Sequence, residues 1–169
     1  MSEENVAVVR RLHEAFGEIG MQPIRDALAQ NPDVEGATEA VGRLADVIVE
    51  SIDPGVELEL MASEFSLPDM PAGSVFRGLD GWARFWRGWL EPWEEFEFEY
   101  GNLADGGDDV VLDIAISARG RGSGAPTRIA QSQVWTVRER KVVRVRVFDT
   151  RAEALAAAGL AGPSPSRSR

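Results

Sequence analysis

The sequence predicts an α+β fold in which N-terminal helices pack against a curved antiparallel sheet. Three observations lead to this prediction. Residues 3–20 repeat apolar side chains at helical spacing, residues 56–60 alternate strictly between apolar and acidic side chains, and most of residues 96–148 alternates similarly. Helices and strands that are segregated along a chain form separate layers, and a sheet that curves around helices leaves a concave space suited to a small molecule.

The residue composition limits the chemistry available to the protein. Its 169 residues, 44% of them apolar, are typical of one domain with a hydrophobic core. The chain has no cysteine and one histidine, which excludes disulfides, thiol nucleophiles and multi-histidine metal sites. A net charge of −10 argues against nucleic-acid binding. We expect a single domain over residues 1–160 and a disordered tail over residues 161–169.

The N-terminus and the hydropathy pattern predict a cytoplasmic protein. The first five residues are acidic and polar, unlike the basic start of a signal peptide. No apolar run approaches the roughly 20 residues that are needed to span a bilayer. We therefore expect no association with a membrane.

The first third of the chain is predicted to be helical. The helix over residues 3–20 is followed by a short helix over residues 23–30 and by a third over residues 34–51. Asp53-Pro54-Gly55 is a typical turn sequence. The strand at residues 56–60 begins directly after it.

A second helix-forming region lies in the middle of the chain. After a loop over residues 62–75, a helix is predicted from an N-cap at Asp80 to about Trp93. Four tryptophans then share one helix face: Trp82, Trp86, Trp89 and Trp93. A stripe of this kind is typical of core packing, and Trp86 or Trp89 could also cover a flat hydrophobic ligand.

The last third of the chain predicts an antiparallel meander. Four segments alternate, with turns at Asp105–Asp108 and around Glu139-Arg140 and a longer loop between the second and third. The predicted strands are residues 96–103, 110–119, 129–137 and 142–148. A short helix over residues 153–158 closes the fold.

Five groups of segments carry a family resemblance: Asn5–Leu12 with Ala15-Phe16, Asp53-Pro54 with Val56-Glu57, Phe76-Arg77-Gly78 with Gly81, Val134–Arg138, and Arg151–Leu160. With these segments the chain resembles the SnoaL-like polyketide-cyclase family of the nuclear transport factor 2-like superfamily. The resemblance implies a cone-shaped α+β barrel whose sheet wraps the first helix, with a pocket open at one end. It also implies a homodimer formed through the outer sheet face and no cofactor or metal.

The chain departs from its relatives at three places. Residues 21–42 read as an extra helical insertion, and the turn Arg138–Lys141 lacks the glycine that relatives usually have. Gln133 stands two residues before a tryptophan, where many relatives have a histidine. That change removes a customary acid/base group.

His13 and Asp149 are the candidate catalytic residues. His13 shares a helix stripe with Val9 and Phe16, which points it towards the sheet, either as a buried structural histidine or as a pocket acid/base. Asp149 continues the apolar face of the last strand, where desolvation would favour a general base. The alternative is an aspartate that caps the next helix or pairs with Arg151. We place Phe16 among the residues that bind substrate.

Further candidates for ligand binding lie on the predicted strands. Gln131, Gln133 and Trp135 share one strand face, which lines either the pocket or a dimer interface. In the pocket, Gln133 could polarise a substrate carbonyl. Tyr100 is the only phenol and therefore the only candidate for the tyrosine oxyanion hole of the related isomerases. Asp113 is expected on the outer face.

The charge of the chain is distributed unevenly. Residues 119–151 contain nine basic and two acidic residues, although the whole chain is acidic. Alternation places Arg144 and Arg146 on the face opposite the valines, and we expect them to meet acidic groups from Glu97 and Glu99 or from a second copy.

Two functions follow from these expectations. The first is a cofactor-free acid/base enzyme, of isomerase, cyclase or hydratase type, that acts on a hydrophobic carbonyl or polycyclic compound. Asp149 would be its base, and His13 would be the partner of the base or a substrate polariser. The second is a non-catalytic ligand-binding or dimerisation module of the same fold. In both cases the partner is a small hydrophobic ligand.

Overall fold

The structure is a computed structural model that describes residues 2–29, 39–62, 67 and 69–161. Five helices are present in this part of the chain: α1 (Ser2–Ile19), α2 (Met21–Ala29), α3 (Glu39–Ser51), α4 (Gly78–Leu90) and α5 (Arg151–Ala157). Six strands accompany them: β1 (Ile52–Leu60), β2 (Val75–Arg77), β3 (Trp93–Gly106), β4 (Asp109–Gly120), β5 (Pro126–Arg138) and β6 (Lys141–Phe148). The predicted α+β class is confirmed.

The six strands form one open, curved sheet in the order β2-β1-β6-β5-β4-β3. Neighbouring strands are antiparallel except β1 and β6, which are parallel. The barrel that the family resemblance implied is therefore not closed, because β2 and β3 remain edge strands. The parallel pair arises because α4 and the three-stranded meander separate β1 from β6 along the chain.

The main core lies between the helices and the inner face of the sheet. α1 buries Val9, Leu12 and Phe16 there, opposite inward residues of β4 and β6 such as Ile116 and Val145. Each residue that is buried in this way removes apolar surface from water, at roughly 25 cal/mol per Å². This packing holds α1, and with it His13, against the sheet.

A second and smaller core covers part of the outer face. α5 packs Ala154 against Val111 of β4 and Val134 of β5, with Phe148 and Leu155 around them. Thr150 begins this helix in a capping box: its hydroxyl accepts from the backbone N–H of Glu153, while the Glu153 carboxylate accepts from the backbone N–H of Thr150. The chain thus folds back over the sheet immediately after Asp149.

Two local predictions are wrong, and one strand was missed. The turn sequence Asp53-Pro54-Gly55 lies inside β1, where the register shifts between Ile52 and Glu57 and the Asp53 carboxylate accepts from Gly55 N. α4 begins at Gly78 with Arg77 as its cap residue, so Asp80 lies within its first turn. The short strand β2 was not predicted.

The tryptophan stripe is shorter than predicted. α4 ends at Leu90, and Trp93 is the first residue of β3. Pro92 lies between them and has no backbone N–H with which to continue the helical hydrogen bonds. Trp82, Trp86 and Trp89 therefore share α4, while Trp93 belongs to the sheet.

The two tight hairpins are confirmed. β3 turns into β4 at Gly107-Asp108, where Gly107 has a φ of 85°. β5 turns into β6 at Glu139 and Arg140, which adopt φ angles of 48° and 65°. Two successive residues with positive φ are typical of the tight turn whose twist matches the flanking strands.

Two predicted segments lie partly or wholly outside the described residues. The predicted insertion over residues 21–42 includes α2 and the beginning of α3, but residues 30–38 between them are not described. The tail is described only as far as Ala161. Within the described part of the chain, no helix is both long enough and apolar enough to cross a membrane.

Candidate functional site

The sheet register places Gln131, Gln133 and Trp135 on the inner face. Their partners on β4 are Ile114, Leu112 and Val110, all of which belong to the main core. Strand alternation indicated a shared face, and the cross-strand partners identify it. These three side chains therefore point away from the outer face on which a sheet dimer would form.

His13 is a buried histidine whose tautomer is determined by the helix. Its residue exposure is 8%, and its Nδ1 atom lies 2.7 Å from the carbonyl oxygen of Val9, one turn earlier. A carbonyl oxygen can only accept, so Nδ1 carries the proton and Nε2 presents a lone pair. Burial lowers the pKa of His13 from 6.5 to about 4, although the hydrogen bond to Val9 opposes this shift. The imidazole is therefore neutral at pH 7.

Trp135 and Gln133 form a buried hydrogen bond on the inner face. The Trp135 indole Nε1–H donates to Gln133 Oε1 at 3.0 Å. Both residues are almost fully buried. One acceptor site of the Gln133 amide carbonyl is therefore already occupied by a protein donor.

Tyr100 lies beside His13 at the edge strand. The two rings meet edge to face with centroids 4.8 Å apart, and the Phe98 ring stacks on that of Tyr100 with centroids 6.1 Å apart. Desolvation raises the pKa of Tyr100 to about 12. The phenol therefore stays protonated at neutral pH and can donate a hydrogen bond, although 37% of the residue is exposed.

Six aromatic side chains form a closed path inside the fold. Neighbouring ring centroids along this path are 4.8–6.5 Å apart. The members of this aromatic cluster, in order, are His13, Tyr100, Phe98, Trp86, Trp82 and Trp135. Phe16 packs against Trp86 at 5.7 Å. Sequence periodicity found the α4 tryptophans, but it could not show that they meet β3 and β5 side chains.

Two members of the aromatic cluster have buried polar atoms without an acceptor. The indole N–H groups of Trp82 and Trp86 are inaccessible to solvent and have no hydrogen-bond partner in the described part of the chain. Such groups are uncommon in folded proteins, because a buried unsatisfied donor costs roughly 1–3 kcal/mol. Trp89 differs from both, since its ring stacks on Phe85 outside the cluster.

A cavity of about 410 Å³ lies between α1 and β3, next to the aromatic cluster. His13 and Tyr100 line it together with Val9, Leu103 and Leu112, and its rim carries Arg10 and Glu14. Its apolar wall with few polar groups is typical of a small-molecule site. Sequence reasoning did not find Leu103 and Leu112, because alternation alone does not reveal which inward residues face a gap.

Asp149 lies at the end of β6, where the chain leaves the sheet. Phe148 packs with the outer core, and Ser132 pairs with Phe148, so Gln131 and Asp149 are the next residues along the two chains. Asp149 is half-buried and lines a depression of about 370 Å³ at the edge of the sheet. Tyr100 and Gln131 border this depression together with outer-face residues, among them Asp113, Ala115, Ala130 and Ser132. His13 and Asp149 thus line different cavities, and Tyr100 borders both.

Two chain neighbours of Asp149 have identified partners. Thr150 caps α5, and Arg151 Nη1 lies 2.7 Å from Asp113 Oδ2. Asp113 also accepts from the Ser132 hydroxyl at 2.7 Å, which confirms its place on the outer face.

The basic strands meet acidic partners within the chain. Arg144 pairs with Glu59 at 2.6 Å and Arg146 with Asp109 at 3.1 Å, so the expected partners Glu97 and Glu99 were wrong for both arginines. Glu99 instead pairs with Arg128. The positive charge of the late strands is therefore largely matched by neighbouring acidic strands.

A third and larger cleft, of about 600 Å³, lies at the far end of the sheet, under α2. Met21, Leu90, Phe96 and Ala118 provide apolar surface, and Arg25 donates to the Trp93 and Glu94 carbonyl oxygens beside it. No sequence motif marks this cleft. Within the described residues, no group of three or more histidine, aspartate or glutamate side chains is arranged to hold a metal ion.

Solved structures share this architecture. A protein from Jannaschia sp. CCS1, described as a SnoaL-like polyketide cyclase, superposes with a TM-score of 0.58 at 20% sequence identity, and the match covers 95% of this chain and 94% of that one. The structure of TerC co-crystallised with polyporic acid superposes with a TM-score of 0.60 at 16% sequence identity, and the match covers 93% of this chain and 97% of TerC. AclR from Streptomyces galilaeus, described as a hydroxylase, superposes with a TM-score of 0.57 at 13% sequence identity, and the match covers 98% of this chain and 91% of AclR. At these identities the likeness establishes the fold.

The family model provides the more specific comparison. No curated protein sequence matches the chain. The model of the SnoaL-like domain matches residues 41–145, which include β1 through most of β6 and therefore most of the sheet. The chain belongs to the SnoaL-like domain family.

Proposed function

We propose that this protein binds a small hydrophobic carbonyl compound and catalyses cofactor-independent acid/base chemistry on it. The observation that carries the proposal is a group of polar side chains in an otherwise apolar interior: Tyr100, Gln131 and Gln133 on the inner face of the sheet, and His13 on α1, which packs against it. TerC was co-crystallised with polyporic acid, which supports a small-molecule ligand in this fold.

Asp149 is the general base in this proposal. Its carboxylate takes a proton from the carbon next to the substrate carbonyl, and the C–H electron pair moves into an enolate. Reprotonation at another carbon gives an isomer, whereas attack of the enolate carbon on a second carbonyl closes a ring. Asp149 is suited to this role because strand alternation continues the inner face of β6 to its position, next to Gln131.

Tyr100 is the group that stabilises the enolate oxygen. A hydrogen-bond donor held near a developing oxyanion lowers the barrier without needing to reorganise. The raised pKa of Tyr100, about 12, keeps its proton in place at neutral pH. His13 cannot polarise a carbonyl in the same way, because its only N–H donates to Val9 and the lowered pKa of its ring keeps Nε2 unprotonated.

The proposal is tested by proton exchange on a simple ketone. The protein is incubated with 2-tetralone in D₂O, and NMR follows the loss of the protons next to the carbonyl. Asp149→Asn should slow the enzyme-dependent exchange about 100-fold or more. Asp108→Asn, in the exposed β3–β4 turn, is the matched control and should exchange like the wild type. Equal rates for Asp149→Asn and the wild type would refute the base.

A non-catalytic binding module is the second candidate function. Two observations favour it: Trp135 donates to the side-chain carbonyl of Gln133, and His13 and Asp149 line different cavities. In that case 2-tetralone would bind to the wild type while its exchange rate stayed at the buffer rate.

We also propose a homodimer formed through the part of the outer face that α5 leaves open. Small side chains, Ala115 and Ala130, lie there beside the Arg128–Glu99 ion pair. Light scattering after size exclusion should give a dimer mass for the wild type and a monomer mass for Ala130→Arg. Glu18→Arg on exposed α1 is the control and should remain dimeric. A monomeric wild type would overturn this assembly.

A further inference from the structure

The ring of His13 has one nitrogen that the protein leaves without a partner. Nδ1 donates to the Val9 carbonyl, and among the described residues nothing donates to Nε2. Edge-to-face contacts with Tyr100 and Trp135, each at 4.8 Å, hold the imidazole in place. The Nε2 lone pair therefore has a fixed orientation, and His13 lines the 410 Å³ cavity.

The chemistry around Nε2 restricts what can pair with it. The nearby cavity wall is apolar, apart from the Tyr100 hydroxyl and the rim residues Arg10 and Glu14. A buried acceptor that loses its water must gain a donor from the ligand, or its desolvation is uncompensated. A carbonyl oxygen of the ligand would be repelled by the Nε2 lone pair, because both atoms are acceptors. A hydroxyl group of the ligand would donate a hydrogen bond to Nε2.

The aromatic cluster restricts the body of the ligand in the same way. His13 and Tyr100 belong both to the cavity wall and to the closed path of six rings. Flat aromatic ligands pack against such rings in offset or edge-to-face arrangements. The volume of the cavity is within the range of sites that hold drug-sized ligands, so a bicyclic or tricyclic compound fits.

We infer that the ligand carries a hydroxyl group that donates to Nε2 of His13, which makes His13 the residue that selects hydroxylated aromatic compounds over their ethers. This inference rests on the proposed small-molecule function and adds the substrate class. His13 is then a specificity-determining residue and not an acid or a base. Where the substrate is a ketone, the same position would hold a second, phenolic oxygen of the molecule.

The binding test compares two probes that differ only at the donor. Isothermal titration calorimetry measures 2-naphthol and 2-methoxynaphthalene against the full chain at pH 7. The wild type should prefer 2-naphthol about tenfold, because the ether leaves Nε2 without a donor. His13→Phe keeps a ring of similar size and should abolish that preference by weakening 2-naphthol alone.

A matched control distinguishes the contribution of His13 to the preference for 2-naphthol from that of the residues on the cavity rim. Glu14 lies on the rim of the same cavity, and Glu14→Gln removes the negative charge of the carboxylate that could otherwise accept a hydrogen bond from the naphthol. It should keep the preference of the wild type. Loss of the preference in Glu14→Gln but not in His13→Phe would overturn the inference, and so would equal affinities of the wild type for the two probes or no binding of either.

Nitrogen NMR provides a test that needs no variant. The chain has one histidine, so its imidazole nitrogens give an unambiguous spectrum. Saturating 2-naphthol should shift the Nε2 resonance upfield, the direction expected when a lone pair accepts a hydrogen bond, while 2-methoxynaphthalene should leave it unmoved. An unshifted Nε2 with bound naphthol would contradict the inference. A failure of the Asp149 exchange test would leave these results intact, so the two proposals fail separately.

Discussion

The carbonyl oxygen of Val9 accepts a hydrogen bond from Nδ1 of His13 across one turn of α1, at 2.7 Å. This contact determines the protonation of a side chain that the sequence pattern places in the interior. The helix stripe brings His13 under the sheet, and the backbone then determines which nitrogen carries the proton. The side chain that the sequence suggests as either a buried structural histidine or a pocket acid/base is therefore held as a neutral hydrogen-bond acceptor.

The first prediction concerns the titration of His13. Burial lowers its pKa to about 4. Between pH 6.5 and 4 the His13 ring is therefore neutral in the folded protein, whereas in the unfolded chain it has bound a proton. Stability should therefore decrease as the pH falls from 6.5 towards 4, by about 3 kcal/mol from this residue. Histidine NMR gives the pKa, and urea unfolding at several pH values gives the stability.

His13→Phe is the comparison for that decrease. The phenylalanine ring fits similar contacts but has no titrating nitrogen, so the variant should lose less stability between pH 6.5 and 4 than the wild type. A measured pKa near 6.5 in the folded protein would contradict the burial of the ring.

The second prediction concerns Tyr100. Its desolvated hydroxyl should ionise at a pKa of about 12, well above the usual value of 10. Because the chain contains one tyrosine, the ultraviolet absorbance of tyrosinate reports this group alone. Far-ultraviolet circular dichroism at each pH shows whether the fold persists. Ionisation near pH 10 in a folded sample would show that the phenol is fully hydrated.

The third prediction tests the buried hydrogen bond between Trp135 and Gln133. Trp135→Phe removes the donor and leaves Gln133 Oε1 without its partner, so it should destabilise the fold by about 2 kcal/mol or more. Gln133→Leu removes the acceptor. In a double-mutant cycle, the two changes together should cost about 1 kcal/mol less than the sum of the single changes. Strict additivity would show that the contact contributes nothing.

The fourth prediction compares two ion pairs with different exposure. The Arg146 and Asp109 side chains are 16% and 22% exposed, whereas those of Arg11 and Glu50 are 57% and 58% exposed. Arg146→Ala leaves a half-buried carboxylate without its cation and should cost about 2 kcal/mol or more. Arg11→Ala should cost less than about 0.5 kcal/mol. Equal losses on urea unfolding would contradict the difference in burial.

The helices and the meander were predictable because their patterns are local. Period-two alternation in β6 and the charged turn at Glu139-Arg140 depend on neighbours in sequence, and the structure confirms both. The prediction that Trp93 belongs to the helix was wrong for an equally local reason. Its spacing fits a helix, but Pro92 lacks the backbone N–H that the helix would need there. Asp53-Pro54-Gly55 failed because β1 accommodates a turn sequence as a register shift.

The site was less predictable because its contacts join distant segments. Alternation shows that Gln133 and Trp135 share a face, but the choice of the inner face depends on Leu112 and Val110 of the neighbouring strand. The tautomer of His13 depends on its rotamer against Val9. Neither feature follows from residue types or from spacing along the chain.

The most direct test of the proposed function is a crystal structure of the protein with 2-tetralone bound. The proposal predicts that the carbonyl oxygen accepts a hydrogen bond from the Tyr100 hydroxyl, and that a carbon next to the carbonyl lies about 3.5 Å from a carboxylate oxygen of Asp149. A ketone bound beside His13 with Asp149 out of reach would contradict the proposed base and favour the non-catalytic binding module.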